Sequence, residues 1–127
     1  MKAVNTKYVR LYADADGESH FEDLEVELSA VEFAPPAPPL NLSTFMPASQ
    51  AAFFGAPAGW RGDWHPSPAR NLFVILSGEW EVEAGDGTVR RFGPHSVLLV
   101  EDTTGKGHAS RVVSDTDSIV VVVQLQE

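Results

Sequence analysis

The stretch Asn71–Phe92, NLFVILSGEWEVEAGDGTVRRF, decides the fold. Its opening run, Phe73-Val74-Ile75-Leu76, is continuously apolar and short, as suits a buried strand from Asn71 to Leu76. Gly78 breaks it. Trp80, Val82 and Ala84 then alternate with Glu79, Glu81 and Glu83. A period of two sets one face of a strand against a core and the other in water. Gly85-Asp86-Gly87 comes next, and these residue types tolerate the positive φ of a tight turn. Thr88–Phe92 returns as the partner strand.

The same alternation of strand and turn extends outward in both directions. Towards the C-terminus, Gly93-Pro94 turns, and Ser96–Val100 and Ala109–Val113 read as strands. Ser114–Ser118 is a polar turn, and valine-rich Ile119–Leu125 is the last strand. Towards the N-terminus, Pro47–Pro68 mixes Ala, Gly, Pro and aromatics without clean periodicity and reads as a long loop with some extended pieces. Leu40–Phe45 is a short strand. APPAPP, from Ala34 to Pro39, lacks the N–H groups of a central strand and reads as an extended edge or linker. Leu24-Glu25-Val26-Glu27-Leu28 alternates as a strand with one wet face. No helical run is present. Short strands with turn signals every 8–12 residues or so predict an all-β sandwich or barrel.

Composition excludes several functions. The 127 residues fit one domain. Apolar residues are 43% and charged residues 21%, enough apolar content to bury a core. Nine Lys+Arg against eighteen Asp+Glu give a formal charge of −9, so a phosphate-neutralising basic face is not expected, nor is attraction to an anionic membrane. From Leu11 to Trp60 there is no Lys or Arg, whereas eight acids fall between Asp14 and Glu32. Most alternate with apolar residues, which makes them a solvated strand face. Absence of cysteine removes disulfides, thiolate metal sites and Cys nucleophiles. The opening residues lack a secretory apolar region, and no apolar run is long enough to span a membrane. The expectation is a cytoplasmic protein whose partner is a small molecule, with neither nucleic acid nor membrane.

Two segments line up around this core. The first runs Gly59-x5-His65-x-Ser67-x3-Asn71-x6-Gly78, and the second is Gly105-x2-His108 within EDTTGKGH, Glu101–His108. This pattern resembles the cupin superfamily, whose motifs read G-x5-H-x-H-x3/4-E-x6-G and G-x5-P-x-G-x2-H-x3-N. The resemblance covers Gly59 to Val113. It implies a jelly-roll β-barrel (a double-stranded β-helix) with the motif residues at its mouth. A single domain over residues 1–127 is expected, with an N-terminal arm and edge strands over 1–33 and the motif core over 59–113. It also implies a homodimer and a divalent metal. The departures bear on the metal. Of the family's four ligand positions, only His65 and His108 keep an imidazole; Ser67 and Asn71 stand at the other two. Thr103 and Val112 replace the Pro and Asn of the second motif. A hydroxyl and a neutral amide bring no charge to a metal, so a metal on His65 and His108 is disfavoured. The cofactor is either none or a divalent transition metal.

His65 and His108 are therefore the candidate catalytic residues, since imidazole moves protons near neutral pH. Ser67 and Asn71 are candidate hydrogen-bonding groups for a substrate oxygen. Trp60 and Trp64 are placed to cap a mouth, and Phe73 and Trp80 to form its wall. Glu101 and Asp102 come after the apolar strand, and alternation turns one of them inward beside His108, where a carboxylate would orient the ring; Glu101 stands among the candidate binding residues. The N-terminal arm is expected to cover a sheet edge, in its own chain or a dimer mate. The leading functional reading is a small-molecule-binding protein, with non-redox acid/base chemistry (isomerisation, dehydration or cyclisation) on a small apolar or aromatic substrate. The alternatives are a metal-dependent dioxygenase or isomerase with an altered ligand set, and a non-catalytic ligand-binding or sensor module.

Overall fold

The computed structural model describes residues 4–127. Among these residues eleven strands run in chain order: β1 (Val4–Ala13), β2 (Ser19–Val31), β3 (Leu40–Leu42), β4 (Ala48–Ala56), β5 (Arg61–His65), β6 (Asn71–Ile75), β7 (Trp80–Glu83), β8 (Val89–Phe92), β9 (Val97–Glu101), β10 (His108–Val112) and β11 (Ser118–Leu125). They form a seven-stranded sheet ordered β3-β2-β1-β9-β6-β11-β4 and a four-stranded sheet ordered β5-β10-β7-β8. Neighbours are antiparallel except β1 and β9, which run parallel. Among the described residues no helix is long and apolar enough to cross a membrane.

The alternation in the deciding stretch does what it predicts. Trp80, Val82, Ala84 and Phe92 are buried, and β7 pairs with β8 through Trp80–Phe92 and Val82–Arg90. From the large sheet, Leu11, Ile75, Leu98, Val100 and Val120 meet them in one core. Each such side chain removed from water contributes roughly 1.5–3 kcal/mol before the entropy of ordering it is counted.

Two expectations need correction. Pro47–Pro68 is not a long loop: it holds β4 and β5. Strand β4 is rich in Ala and Gly and mostly exposed, so its sequence carries no alternation. Its structure comes from pairing with β11 along its length, Phe54 opposite Val120 and Ala52 opposite Val122. Tertiary partners supply the strand that propensity does not. Second, the strand expected over Leu40–Phe45 stops at Leu42.

The N-terminal arm covers an edge within its own chain. β1 lies along β9 from Val9–Leu98 to Tyr12–Glu101, and β2 and β3 build outward from it. The β1–β2 turn then reaches across to the small sheet. The Ser19 hydroxyl donates to the Gly107 carbonyl at 2.8 Å and accepts the Gly85 N–H at 2.6 Å. Beside it, His20 is held at both ring nitrogens: Nε2 lies 2.7 Å from Asp14 and Nδ1 2.9 Å from Asp86. With a carboxylate at each nitrogen the imidazolium is favoured. The Asp14 hydrogen bond, then that to Asp86, raises the His20 pKa. Asp14 is lowered, chiefly by its bond to His20. Asp86 is lowered by the Thr88 N–H and then by His20.

This clamp has a definite pH signature. A raised imidazole pKa contributes stability below the unfolded value of about 6.5 and loses it as pH rises through the folded value. The two lowered carboxylates contribute above their unfolded values and lose it as pH falls through the folded ones. The melting-temperature gap between the wild-type chain and His20→Ala is therefore expected to be widest in mildly acidic solution and to narrow towards both extremes. A gap that does not change with pH contradicts the clamp.

Candidate functional site

The interior between the sheets is not completely filled. A cavity of about 300 Å³ lies between them, with Phe54, Phe73, Ile75 and Val100 on the large-sheet side and Trp80, Val82 and Phe92 on the small-sheet side. Phe54 meets Phe73 and Trp80 edge-on at 5.8 and 6.4 Å, and Trp60 meets Trp80 in the same way at 5.6 Å. The Trp80 indole N–H is used internally, donating to the Ser118 hydroxyl at 2.7 Å. Polar groups at the cavity come from β5 and β10: His65, His108 and Ser110.

A β-bulge brings the two histidines together. β10 pairs with β5 through His108–His65 and Ser110–Gly62. Two steps on β10 thus match three on β5, which gives β5 one extra residue. An extra residue reverses the face taken by every later residue of the strand. Gly62 and His65 consequently share the inner face, although their spacing would oppose them in a regular strand. The imidazole centroids of His65 and His108 are 4.9 Å apart.

Each ring is fixed through Nδ1. His65 Nδ1 lies 2.7 Å from the Asp63 carbonyl oxygen inside the bulge. A carbonyl only accepts, so Nδ1 carries the proton and neutral His65 presents an unprotonated Nε2. His108 Nδ1 lies 2.5 Å from Asp102 Oδ2. Asp102 is fully buried, and its Oδ1 has no hydrogen-bond partner. A carboxylate accepts as well, so the same tautomer holds at His108. Both Nε2 atoms and the Ser110 hydroxyl are left for a ligand.

The predicted residues separate into two groups. The structure brings together His65, His108, Trp60, Phe73 and Trp80 at one cavity. It places Trp64, Ser67, Asn71 and Glu101 elsewhere. The bulge turns Trp64 to the outer face of the small sheet, where the Lys106 ammonium sits 3.7 Å from its ring centroid. Ser67 is buried in the turn after β5; its hydroxyl donates to the Ala69 carbonyl and its N–H to the Asp102 carbonyl. Asn71 begins β6, in register with Val100 and Gln124, and is outside the cavity lining. Leu98 and Val100 face the cavity, so alternation sends Asp102 inward and Glu101 outward. There Glu101 accepts from Arg10 Nε at 2.6 Å and Arg70 Nε at 2.5 Å. Burial pushes the Glu101 pKa up, but the two guanidiniums outweigh it and hold the pKa below the usual carboxylate range. Phe54 is not apparent from sequence because β4 has no strand pattern. Ser110 has a usable signal: two positions past His108 on one strand, it must share that residue's face.

The donor set does not suit a metal. Neither cavity-lining carboxylate nor third imidazole accompanies the two Nε2 atoms, and Asp102 is committed to Nδ1 of a would-be ligand. The residues do not match a catalytic centre with three protein ligands, or two histidines and a carboxylate. Elsewhere, Asp14, Glu18 and His20 bring three donor atoms within 4.8 Å of one another, a spacing that could hold a cation. In the structure both His20 nitrogens are taken up by Asp14 and Asp86.

No protein-family model matches the chain, and no curated protein matches it. Solved structures do. The cupin domain of Schizosaccharomyces pombe Cnp3 superposes over 98% of this chain and 84% of its own, with a TM-score of 0.50 and 16% identity. The chain has the cupin fold. A cupin domain from Bordetella pertussis aligns over 61% of this chain and 80% of its own, at a TM-score of 0.47 and 18% identity. A conserved Streptococcus pyogenes protein of unknown function aligns at 25% identity and a TM-score of 0.46. That match covers 61% of this chain and spans 65% of the Streptococcus protein.

This cupin barrel depends on a close backbone approach beside the histidines. Gly107 has φ +77°, and a Cβ there would stand 1.9 Å from the His65 carbonyl oxygen. Gly107→Ala would combine that clash with a left-handed conformation that alone costs about 1–2 kcal/mol. It is expected to lower the melting temperature and to part the two imidazoles. A variant with wild-type stability would contradict the packing described for this loop.

Proposed function

We propose that the chain binds a small, largely apolar organic molecule in the barrel and acts on it by acid/base chemistry without redox change. One observation carries the reading: two imidazoles, both held through Nδ1, face an apolar cavity, and a fully buried carboxylate backs one of them. His108 Nε2 would take a proton from an acidic C–H or O–H of the substrate. The charge that forms on the ring is balanced by Asp102, which also fixes the tautomer. The Ser110 hydroxyl would donate to the oxyanion left on the substrate. The His108 imidazolium would then return that proton to another atom of the substrate (isomerisation or cyclisation) or to a departing hydroxyl (dehydration), while His65 Nε2 accepts a hydrogen bond from a second substrate O–H. The apolar walls shield the His108 ring, which is largely buried, and so strengthen its interactions, while the exposed His65 marks where the cavity opens to solvent.

The test takes a substrate found by screening small carbonyl and hydroxy compounds. His108→Ala is expected to reduce turnover by about 10²–10⁴-fold, the usual contribution of a positioned general base. Asp102→Asn should reduce turnover, because Asp102 acts through His108, while leaving nearly intact the affinity for a ligand that does not bond to His108. Unchanged turnover in His65→Ala and His108→Ala together would remove the proposal. Ligand retained by the wild-type chain but never transformed would leave a binding or sensor module.

We further propose that the chain works as a homodimer. The large sheet ends in two open edges, β3 and β4. Beside them stand exposed aromatics: Phe33 (54% exposed) is 6.3 Å from Phe45 (70%), and Phe53 (75%) projects from β4. Open edges flanked by apolar side chains favour pairing with a second chain. Light scattering at micromolar concentration is expected to give twice the chain mass, and a monomer would contradict it.

A further inference from the structure

The polar end of the cavity also indicates what kind of molecule it is built to take. We propose that the ligand is a small ring compound carrying an ionisable hydroxyl, of the phenol or stable-enol class. This inference rests on the reading of the cavity as a ligand site, and deepens it.

Hydrogen-bond polarity comes first. With Nδ1 of His65 committed to a carbonyl and Nδ1 of His108 to a carboxylate, the neutral rings offer two acceptors and no donor. A ligand must therefore bring a proton to this end. Among the described residues no Lys or Arg lines the cavity. The arginines of the same two strands, Arg61 and Arg111, lie on the outer concavity, where Arg111 is paired with Glu81 at 2.6 Å. A carboxylate or phosphate would meet two lone pairs and no fixed cation. An ether or hydrocarbon would leave the largely buried His108 Nε2 unpaired, which is unfavourable, whereas the exposed His65 ring can turn to water. A hydroxyl satisfies one Nε2 by donation, and its oxygen accepts from Ser110.

Size and shape come second. An apolar cavity of about 150 Å³ holds benzene, so one of about 300 Å³ holds roughly a dozen non-hydrogen atoms. The walls present aromatic edges and faces from Phe54, Phe73, Trp60 and Trp80. Trp60 is held there by the absence of a side chain at Gly62: a Cβ would stand 2.6 Å from its ring. Aromatic side chains on both sides suit a ring better than a chain. Acidity comes third. Asp102 accepts from His108 Nδ1, which strengthens Nε2 as an acceptor, so the acidic O–H of a phenol or enol donates to it more strongly than an aliphatic hydroxyl would, and the Ser110 hydroxyl donates to the same oxygen.

Calorimetric titration of the full chain with three probes of one shape tests this. The probes are para-isopropylphenol, para-isopropylanisole, which lacks the donor, and para-isopropylbenzoate, which is anionic. The phenol is expected to bind about tenfold or more tighter than the ether, with the benzoate weaker still. In His108→Ala the phenol should fall to the level of the ether, while the ether itself is unchanged. The comparison among probes uses the wild-type chain and so holds even if the variant fails to fold. Equal affinity for phenol and ether would overturn hydroxyl recognition but leave the cavity as a ligand site. Preference for the benzoate would overturn it in favour of an anion site. Failure of all three to bind would remove the ligand-site reading and this inference with it.

Discussion

Strand β5 has one residue more than β10 between the His65–His108 and Gly62–Ser110 pairs, and the meeting of the two imidazoles hangs on that residue. The bulge puts Gly62 and His65 on one face. It also turns the Asp63 carbonyl to His65 Nδ1, so the irregularity that aims the ring also sets its tautomer. Gly107 allows the His108 loop to lie against the His65 backbone, closer than any side chain would permit. The two imidazoles meet because a local irregularity and a missing side chain coincide.

Around this pair the sheets divide the work. The inner faces supply an apolar enclosure whose polar positions are His65, His108 and Ser110. Charge is kept outside or locked in pairs: Glu101 between Arg10 and Arg70, Glu81 with Arg111 and Arg91, His20 between Asp14 and Asp86. Among the described residues Asp102 alone brings a fully buried carboxylate into the interior, and its bond to His108 explains its presence there. Its second oxygen makes no bond.

Much of this is legible in the residues, and the limits have physical causes. Strong alternation locates β7 and β8, and the apolar runs locate β6, β9 and β11, because burial on one or both faces writes itself into sequence. The resemblance of Gly59, His65, Gly78, Gly105 and His108 to the cupin motifs implies the barrel type and brings the histidines to one mouth. Strand β4 is not legible, since its Ala-rich, exposed residues take their form from β11. Motif position puts Trp64 at the mouth, and nothing in the residues registers the bulge that turns it away. Ser67 and Asn71 are indicated by motif position alone; the structure uses Ser67 to tie the turn to Asp102 and leaves Asn71 in the sheet. Glu101 against Asp102 is a question of parity, which Leu98 and Val100 resolve once they are seen to face the cavity.

Both rings are held through Nδ1, which leaves each Nε2 open to a ligand. Long-range nitrogen–proton correlation spectra of the histidine-labelled chain report the tautomer at each ring directly. The account predicts protonated Nδ1 and unprotonated Nε2 in the neutral form of both His65 and His108, with Asp102→Asn altering the signals of His108 far more than those of His65. A proton on Nε2 of either neutral ring, or no response of His108 to the substitution, would contradict it.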